Sequence, residues 1–457
     1  MTRRFDAIVI GAGQAGPPLV GRLSQAGMTV ALIERALVGG TCVNTGCMPT
    51  KAMVASAYAA HLARRARDFG VVLEGPVGVD FPRVMARKEG VSRNARSSLE
   101  RWLAGLSGCT LLRGHARFVS AHEVRVNDEV IGADRIFLNV GARAFVPDMP
   151  GVDRVPYLTN TSLLKLEQLP RHLVVVGGSY VGLEFAQMFR RFGSEVTVVE
   201  RGERLIQHED PDVSDCVKFI LENEGIRLRL GATCLRLESR GKQDVWVGVQ
   251  CAEGEPGVLG SHVLLAVGRR PNTDDLGLEK AGVERDAKGY VKVDDTLRTS
   301  ASNIWALGDC NGKGAFTHTS YNDFEILAAN LLDGGQRKVS DRIPAHALYI
   351  DPPLGRAGMS ESEARKTGKH IRVGIRPMTR VGRAIEKGET QGFMKMVVDA
   401  DSEQILGAAI LGPGGDEAIH SVLDTMIARA PYSVLKQAMH IHPTVSELVP
   451  TVLGEVE

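Results

Sequence analysis

The chain opens with two short apolar runs separated by a helical pattern. Residues 5–10 and 29–33 have the length and composition of buried strands, with a helix pattern over residues 17–26 and Glu34 after the second run. The turn between the first run and the helix carries three spaced glycines: Gly11, Gly13 and Gly16. This order predicts a βαβ unit whose glycines admit a pyrophosphate at the helix N-terminus and whose acid reaches ribose hydroxyls.

The same pattern returns later in the chain. An apolar run over residues 173–176 leads into a turn and a helix, and a second run over residues 195–199 ends at Glu200. The glycines of this turn are Gly177, Gly178 and Gly182. Ser179 stands where the middle glycine of the fingerprint would be, which crowds a pyrophosphate slightly. The pattern predicts a second dinucleotide site.

Two cysteines follow the first turn, in the stretch 40–51 that reads GTCVNTGCMPTK. Cys42 and Cys47 are five residues apart, which in a regular helix places them about 140° apart around the axis. A disulfide needs Cα atoms within roughly 4.4–6.8 Å, so the helix start must be distorted to join them. This predicts a redox pair rather than two unrelated thiols. Two dinucleotide units beside such a pair indicate an electron path through a flavin and a nicotinamide.

The end of the second unit bears on the nicotinamide coenzyme. Glu200 favours the free 2′-hydroxyl of NADH and would repel a 2′-phosphate. Arg201 and Arg204 directly after it could instead bind the phosphate of NADPH. We expect NADH, with NADPH as the alternative.

Composition narrows the class of protein. The 457 residues are 44% hydrophobic and include 51 glycines, which suits an α/β enzyme with large cores. Lys and Arg number 55 and Asp and Glu 54, for a net charge of +1. This balance gives no electrostatic case for nucleic acid or an acidic membrane surface. No run approaches the roughly 18 apolar residues of a membrane helix.

The cysteines indicate a compartment. There are seven, without the spacing of a secreted disulfide framework or a metal site. The chain enters its first strand at once, which leaves no room for a signal peptide. We expect a cytoplasmic protein in which a lone reversible disulfide is catalytic. Five cysteines are expected to be ordinary packing residues: Cys109, Cys216, Cys234, Cys251 and Cys310.

In combination, these motifs resemble one family. The two glycine-rich turns, the stretch GGTCVNTGCMPTK and a late His442-Pro443-Thr444 resemble the flavin-dependent pyridine nucleotide–disulfide oxidoreductases. That family includes dihydrolipoamide dehydrogenase, glutathione reductase and mercuric reductase. The resemblance covers essentially the whole chain. It implies an α/β fold with two Rossmann-like dinucleotide-binding domains and a C-terminal α+β dimerisation domain.

The resemblance implies boundaries for these domains. Residues 1–148 would form the first segment of the FAD-binding domain, and residues 269–343 its second segment. Residues 149–268 between them would bind NADH or NADPH. Residues 344–457 would form the interface domain of a homodimer.

The resemblance also implies roles for individual residues. Cys42 would be the thiol that attacks substrate, and Cys47 the partner that lies against the flavin. Lys51 would pair with Glu184 near the reactive nitrogen of the flavin, and Tyr180 would cover the nicotinamide pocket. Further flavin contacts would come from Gly40, Thr41, Gly308 and Asp309, and the cofactor-binding residues Gly141 and Gly268 would lie at the crossing points between the flavin and nicotinamide domains. A strand that ends at Asp309 would place a carboxylate at the edge where parallel sheets bind ligands.

A histidine and a carboxylate near the C-terminus complete the predicted chemistry. Thiol–disulfide exchange needs a thiolate and a proton for the leaving sulfur, and a carboxylate-held histidine supplies that proton near neutral pH. His442 and Glu447 have the spacing of the family. By resemblance they would act on Cys42 of the other subunit, so a homodimer is expected to share its active sites.

The sequence leaves three interpretations of the function. The first is a small disulfide, reduced at the Cys42–Cys47 pair. The alternative is a metal ion, Hg(II) or Cu(II), because stretches of the chain resemble mercuric reductases and two adjacent thiolates bind soft ions. Against it, the chain has no cysteine after Cys310, whereas those enzymes carry a C-terminal cysteine pair. A third reading is the flavoprotein subunit of a larger complex.

Overall fold

Two mostly parallel sheets and a five-stranded antiparallel sheet organise the chain, together with a smaller three-stranded antiparallel sheet and a two-stranded ribbon. The computed structural model describes residues 2–241, 244–250 and 256–456. Cys251 lies outside the described residues, as does the side chain of Cys234.

The first part of the chain forms a sheet around β1. The strands lie in the order β3-β2-β1-β6-β5-β4; β1, β2, β3 and β6 run parallel, and β4, β5 and β6 form an antiparallel meander. The elements are β1 (Arg3–Ile10), α1 (Gly16–Gln25), β2 (Val30–Glu34), α2 (Gly40–Thr45), α3 (Cys47–Arg64), α4 (Phe81–Ala104), β3 (Cys109–Arg113), β4 (Ala116–Ser120), β5 (Glu123–Val126), β6 (Glu129–Leu138) and β7 (Ala142–Ala144).

The second part forms a parallel sheet in the order β10-β9-β8-β14, with a separate antiparallel sheet of β11, β12 and β13. Its strands β8 and β9 are almost wholly buried, as expected for a parallel sheet covered on both faces. The elements are α5 (Asn160–Leu163), β8 (His172–Val176), α6 (Tyr180–Phe192), β9 (Glu195–Val199), α7 (Pro211–Asn223), β10 (Arg227–Arg229), β11 (Thr233–Arg240), β12 (Asp244–Gln250), β13 (Gly257–Gly260), β14 (His262–Leu265) and β15 (Arg269–Pro271).

The third part first returns to the first sheet, where β16 pairs in parallel with β6. It then forms an antiparallel sheet in the order β17-β18-β21-β20-β19. The elements are β16 (Ile304–Ala306), α8 (Thr317–Leu332), β17 (Ala345–Leu348), β18 (Leu354–Gly358), α9 (Glu361–Arg365), β19 (Ile371–Pro377), α10 (Gly382–Glu386), β20 (Phe393–Asp399), β21 (Ile405–Leu411), α11 (Gly415–Ile427), α12 (Tyr432–Lys436) and α13 (Val449–Gly454).

The two linkers between the first and second parts pair with each other. Strand β7 leaves the first sheet, and β15 leads back to it, and the two are antiparallel with Arg143 opposite Arg270. This ribbon joins the carboxyl end of β6 to the carboxyl end of β14, so the two glycine-rich turns face a common space. The predicted α/β class, with two Rossmann-like units and a C-terminal α+β unit, is confirmed.

The largest buried cluster crosses from one part to the next. It contains Met53 of α3, Phe185 and Phe189 of α6, and Leu348 and Leu354 of the C-terminal sheet. Because α3 carries Cys47 at its first residue, this packing fixes the cysteine stretch against the second unit and the C-terminal sheet.

Candidate active site

Each glycine-rich turn contains a glycine that no other residue can replace without strain. Gly11 and Gly177 have φ of +105° and +115°, and a Cβ on either would lie 2.2 or 2.3 Å from a carbonyl oxygen of a neighbouring strand end. The last glycine of each turn is as tightly packed, since a Cβ on Gly16 or Gly182 would lie 2.3 or 2.2 Å from the oxygen of the first. The two turns therefore have one geometry, in which glycines let the strand end and the helix start approach closely.

The acidic residues that follow the two turns make the same kind of hydrogen bonds to the backbone. Glu34 is buried, and its carboxylate accepts hydrogen bonds from the backbone N–H groups of Ala12 and Ala36, both at 2.8 Å. Glu200 accepts in the same way from two backbone nitrogens, at 2.5 and 2.7 Å. Both acids hold the turn beside which the ribose of a dinucleotide would lie.

A cavity of about 1680 Å³ extends from the first turn to the start of α6. This is larger than the roughly 300–1,000 Å³ of an ordinary ligand pocket, and together with the glycine cradle it fits a long dinucleotide such as FAD. The predicted site residues in its walls are Gly11, Gly13, Glu34, Gly40, Thr41, Cys42, Cys47, Lys51, Gly141, Tyr180, Glu184, Gly268 and Asp309. Those outside its walls are Gly16, Gly177, Gly178, Gly182, Glu200, Arg201, Gly308, His442 and Glu447.

The helical structure of the cysteine stretch is interrupted between the two cysteines, as their spacing predicts. Helix α2 ends at Thr45 and α3 begins at Cys47, with Gly46 between them at φ −136° and ψ −123°. This break is the distortion expected from the five-residue spacing. Both thiols are free, and each shifts the pKa of the other.

The two thiols differ in their affinity for a proton. The hydrogen bond from Cys42, the Thr317 hydroxyl at 3.1 Å and the charge of Lys51 lower the pKa of Cys47 to about 6, although burial opposes them. The hydrogen bond to Cys47 and burial raise the pKa of Cys42. At neutral pH the reduced pair therefore carries a thiolate on Cys47 and a thiol on Cys42.

A lysine stands beside this thiolate on the next turn of α3. The Nζ atom of Lys51 lies 2.6 Å from an oxygen of Glu184, whose side chain is 8% exposed. The ring of Tyr349 lies 4.4 Å from the same Nζ atom, and the Tyr349 backbone N–H donates to the other oxygen of Glu184 at 3.0 Å. No sequence motif indicated Tyr349. The only signal that could have pointed to it is an aromatic residue just before Asp351-Pro352-Pro353.

Asp309 lies at the other side of the cavity, after β16. Burial raises the pKa of its carboxyl group, and Arg269, with Nε at 3.3 Å, opposes the rise. The preceding Gly308 is fixed by its N–H group, which donates to Asp323 at 2.8 Å. The strand β16 ends at Ala306 rather than at Asp309 as predicted, and Asp309 lies in a turn just beyond the carboxyl edge of the first sheet.

Tyr180 has partners that sequence reasoning missed. Its hydroxyl donates to Glu209 at 2.9 Å and lies 2.9 Å from Nε2 of His346. Glu209 comes from the loop before α7 and His346 from β17, so no local pattern connects them to Tyr180. Only the fold brings the three together.

His442 and Glu447 form a pair away from the cysteines. The Nδ1 atom of His442 lies 2.8 Å from the Glu447 carboxylate, and the histidine side chain is 81% exposed. Its neighbours Met439 and Ile441 are 99% and 79% exposed, which is unusual for large apolar side chains. Within one chain, the dyad and Cys42 are therefore not brought together.

The remaining cysteines of the described residues take no part in this site. Cys109, Cys216 and Cys310 are free thiols, and Cys310 is fully buried. In the part of the chain that the structure describes, no group of His, Cys, Asp or Glu is arranged to hold a metal ion. None of the described helices combines the length and apolarity needed to cross a bilayer.

Family models match almost the whole chain. Residues 5–323 match the pyridine nucleotide-disulphide oxidoreductase model, and residues 344–453 match the dimerisation domain of the same family. The chain belongs to this family. The enzyme is accordingly a flavoprotein that uses FAD and NAD(P)H for disulfide oxidoreduction, and it carries a dimerisation domain.

Similar proteins include several members of the family. The enzyme is 36% identical to a probable pyridine nucleotide-disulfide oxidoreductase, RclA, of Escherichia coli, over 97% of each chain. It is 34% identical to a dihydrolipoyl dehydrogenase of Thermus scotoductus, over 97% of this chain and 96% of the relative. The Cu(II) complex of the HOCl-induced flavoprotein disulfide reductase RclA superposes with a TM-score of 0.90 at 34% identity, over 99% of each chain.

Proposed function

We propose that this enzyme is an NADH-dependent reductase of a small disulfide, and that it works as a homodimer whose subunits share each active site. The observation that carries the proposal is the Cys42–Cys47 pair. It lies in the cavity wall together with Lys51 and Glu184, and the pKa of Cys47 is lowered while that of Cys42 is raised.

The chemistry divides between the cofactor and the thiols. FAD held in this cavity would supply the path for two electrons from the nicotinamide coenzyme to the Cys42–Cys47 disulfide. The reduced Cys42, as thiolate, then attacks one sulfur of the substrate disulfide, forms a mixed disulfide and releases the first product thiol. The Cys47 thiolate attacks Cys42, restores the internal disulfide and releases the second thiol. Two electrons leave the pair, and each leaving sulfur takes one proton.

The protonation of Cys42 explains why a base is needed. Its pKa is raised, so at neutral pH it must lose a proton before it can attack. His442, oriented by Glu447 through a 2.8 Å contact, has the chemistry to take that proton and to return it to the leaving thiol. Because its own Cys42 lies elsewhere, we assign His442 to Cys42 of the partner subunit. The exposed Met439 and Ile441 support a protein surface that covers this loop.

Lys51 has an electrostatic role in this scheme. Its charge lowers the pKa of Cys47, while Glu184 and the Tyr349 ring hold its ammonium group in place. Gly11, Gly13, Gly16, Glu34, Gly40, Thr41, Gly141, Gly268, Gly308 and Asp309 form the cradle proposed for FAD. Gly177, Gly178, Gly182, Glu200 and Arg201 form the one proposed for the nicotinamide coenzyme, with Tyr180 over its reactive end.

Glu200 supports NADH as the preferred coenzyme, because its charge lies where a 2′-phosphate would sit. We expect Glu200→Gln to raise kcat/KM for NADPH relative to NADH by about fivefold to tenfold, since it removes the like charge but keeps the shape. Arg201, which is exposed, remains to bind the phosphate. Steady-state kinetics with both coenzymes measures this ratio.

Glu203→Gln is the matched control, because Glu203 is an exposed carboxylate three residues along the same loop. Its ratio should equal that of the wild type. An unchanged ratio in Glu200→Gln would show that Glu200 only holds its turn.

Metal reduction is the second candidate. Two free thiols share one wall of the cavity, and soft ions bind such pairs. The enzyme is also 32% identical to a mercuric reductase of Bacillus cereus, over 97% of this chain and 70% of the relative. In this alternative Hg(II) or Cu(II) takes two thiolates as ligands, and the His442–Glu447 dyad is not required.

Anaerobic NADH and NADPH oxidation with two sets of acceptors distinguishes the candidates. One set contains lipoamide, glutathione disulfide and cystine; the other contains Hg(II) and Cu(II) with excess thiol. We expect fast turnover with at least one disulfide, and a His442→Ala variant that loses it. Turnover with metal alone, unaffected by His442→Ala, would replace the disulfide proposal with the metal one.

We propose that the enzyme acts in the cytoplasm, because the described cysteines outside the redox pair, Cys109, Cys216 and Cys310, are free thiols, as a reducing compartment keeps them.

A further inference from the structure

The hydroxyl and ring of Tyr180 are held on several sides at the wall of the cavity. One oxygen of Glu209, Oε1, lies 2.9 Å from the Tyr180 hydroxyl, which donates to it, and 2.8 Å from Nε2 of His346. The ring of His346 stacks on Phe316 at 5.5 Å, and both rings meet the Tyr180 ring edge-on. The observed position of Tyr180 therefore depends on Glu209.

Tyr180 stands where a coenzyme must pass. It is the first residue of α6, directly after the second glycine-rich turn, and it lies one helical turn before Glu184, the partner of Lys51. If the proposed function holds, a coenzyme bound on that turn reaches the flavin only when the Tyr180 ring moves aside. Its displacement breaks the hydrogen bond to Glu209.

Glu209 has a second, more distant partner in Arg356, with which it forms no hydrogen bond and whose Nη1 atom also lies 3.9 Å from Asp210. Its other oxygen, Oε2, is buried and has no hydrogen-bond partner among the described residues, and the same holds for both terminal nitrogens of Arg356. The nearest of these nitrogens lies 3.7 Å from Oε2, and the two side chains are 3% and 2% exposed. Buried charged groups are normally paired through hydrogen bonds. Because Glu209 and Arg356 lie close together without such bonds, the two side chains are near to a second arrangement in which they hydrogen-bond to each other.

The backbone around Glu209 is fixed, so the second arrangement needs only a side-chain rotation. The next residue, Asp210, accepts hydrogen bonds from the backbone N–H groups of Glu361 and Ser362 at 2.8 and 2.9 Å. Its carboxylate also lies 3.5 Å from the buried Lys395. The loop before α7 is thereby tied to the C-terminal sheet in both arrangements.

We propose that Glu209 is a two-position latch: it holds Tyr180 over the nicotinamide pocket while its contact with Arg356 stays long, or it closes to a hydrogen-bonded ion pair with Arg356 when Tyr180 moves away. Arg356 is then a positioning residue, because its pairing with Glu209 offsets the free energy lost when Tyr180 moves aside and its hydrogen bond to Glu209 breaks. This inference rests on the proposed nicotinamide site. The apparent affinity for coenzyme depends on the fraction of enzyme in the open arrangement, so the latch sets that affinity.

Equilibrium binding of NAD⁺ to the oxidised, FAD-loaded enzyme tests the latch by calorimetry, without turnover. Tyr180→Phe removes the hydroxyl but keeps the ring, and it should lower the Kd by about tenfold, because a hydrogen bond to a charged group no longer holds the closed state. Arg356→Lys loses the paired donors of the guanidinium and should raise the Kd by about fivefold.

The double variant separates a latch from a merely structural arginine. With Tyr180→Phe in place no hydroxyl competes for Glu209, which can pair with Arg356 whether or not the ring covers the pocket, so adding Arg356→Lys should leave the Kd at the Tyr180→Phe value. An arginine that only supports the fold would raise the Kd equally in both backgrounds, which would overturn the proposal. Glu209→Gln replaces Arg356→Lys if that variant does not fold, because its amide oxygen still accepts from Tyr180 but forms no ion pair; its Kd should also rise.

Tyr58→Phe is the matched control, since the Tyr58 hydroxyl donates to Glu389 at 2.6 Å away from the latch. Its Kd should equal that of the wild type. Equal Kd values in all variants would refute the latch and leave the proposed function intact. Failure of the wild type to bind NAD⁺, together with failure of NADH to reduce its flavin, would refute the nicotinamide site and the latch with it.

Discussion

Replacing Cys47 by serine is expected to lower kcat for disulfide reduction by more than about 10³-fold, a loss comparable to those seen when a covalent nucleophile is removed. Without Cys47 there is no sulfur to resolve the mixed disulfide on Cys42 and none to pass electrons to it. The FAD content should not change, because the Cys47 side chain contacts Cys42 and Thr317 rather than the glycine cradle. Anaerobic kinetics and flavin absorbance per subunit measure both effects.

The pH dependence of the wild type gives the same step a second readout. The pKa of Cys47 is lowered to about 6, so its thiolate is present at neutral pH and is lost as the pH falls through about 6. Closure of the internal disulfide should therefore slow below that pH and be insensitive above it. Cys109→Ser, at a half-buried cysteine of β3, is the control and should match the wild type. Disulfide turnover that survives in Cys47→Ser would refute the dithiol mechanism.

The elements predicted most accurately are those that residues close in sequence determine. Both βαβ units follow from apolar runs and glycines, and the structure shows why: Gly11 and Gly177 adopt a backbone that only glycine tolerates. The break between Cys42 and Cys47 follows from their spacing alone. The predicted boundaries of the strands are less accurate: β2 begins at Val30 rather than at Thr29. There the side chain of Asp6 accepts from the Thr29 N–H at 2.7 Å, and the strand begins one residue later.

The residues that sequence reasoning missed are brought in by long-range pairing. Tyr349, His346 and Arg356 reach the second unit because β17 and β18 pair at a particular register, with His346 opposite Arg356. Glu209 meets them from a loop more than a hundred residues earlier. None of the four lies in a motif, and their importance comes from contacts between parts of the chain that share no local pattern.

The shared active site leads to the second large effect. His442→Ala is expected to lower kcat for disulfide reduction by about 10²- to 10³-fold, the usual contribution of a general acid–base group. Reduction of the flavin by NADH should keep its rate, because His442 lies outside the cavity walls. Steady-state turnover and the anaerobic reductive half-reaction separate these effects. His370→Ala, which removes another exposed histidine paired with a carboxylate, at 3.3 Å from Asp401, should change neither.

Mixed dimers show which subunit supplies the histidine. A dimer of one His442→Ala subunit and one Cys42→Ser subunit contains, if the site is shared, one site with both wild-type residues and one with neither. Such a dimer should recover turnover that neither parent dimer has. If each chain instead used its own His442, every site would keep one defect and mixing would restore nothing. The 81% exposure of His442 and the uncovered Ile441 beside it favour recovery, because a histidine that acts as acid and base needs a partner surface to bring a thiol to it.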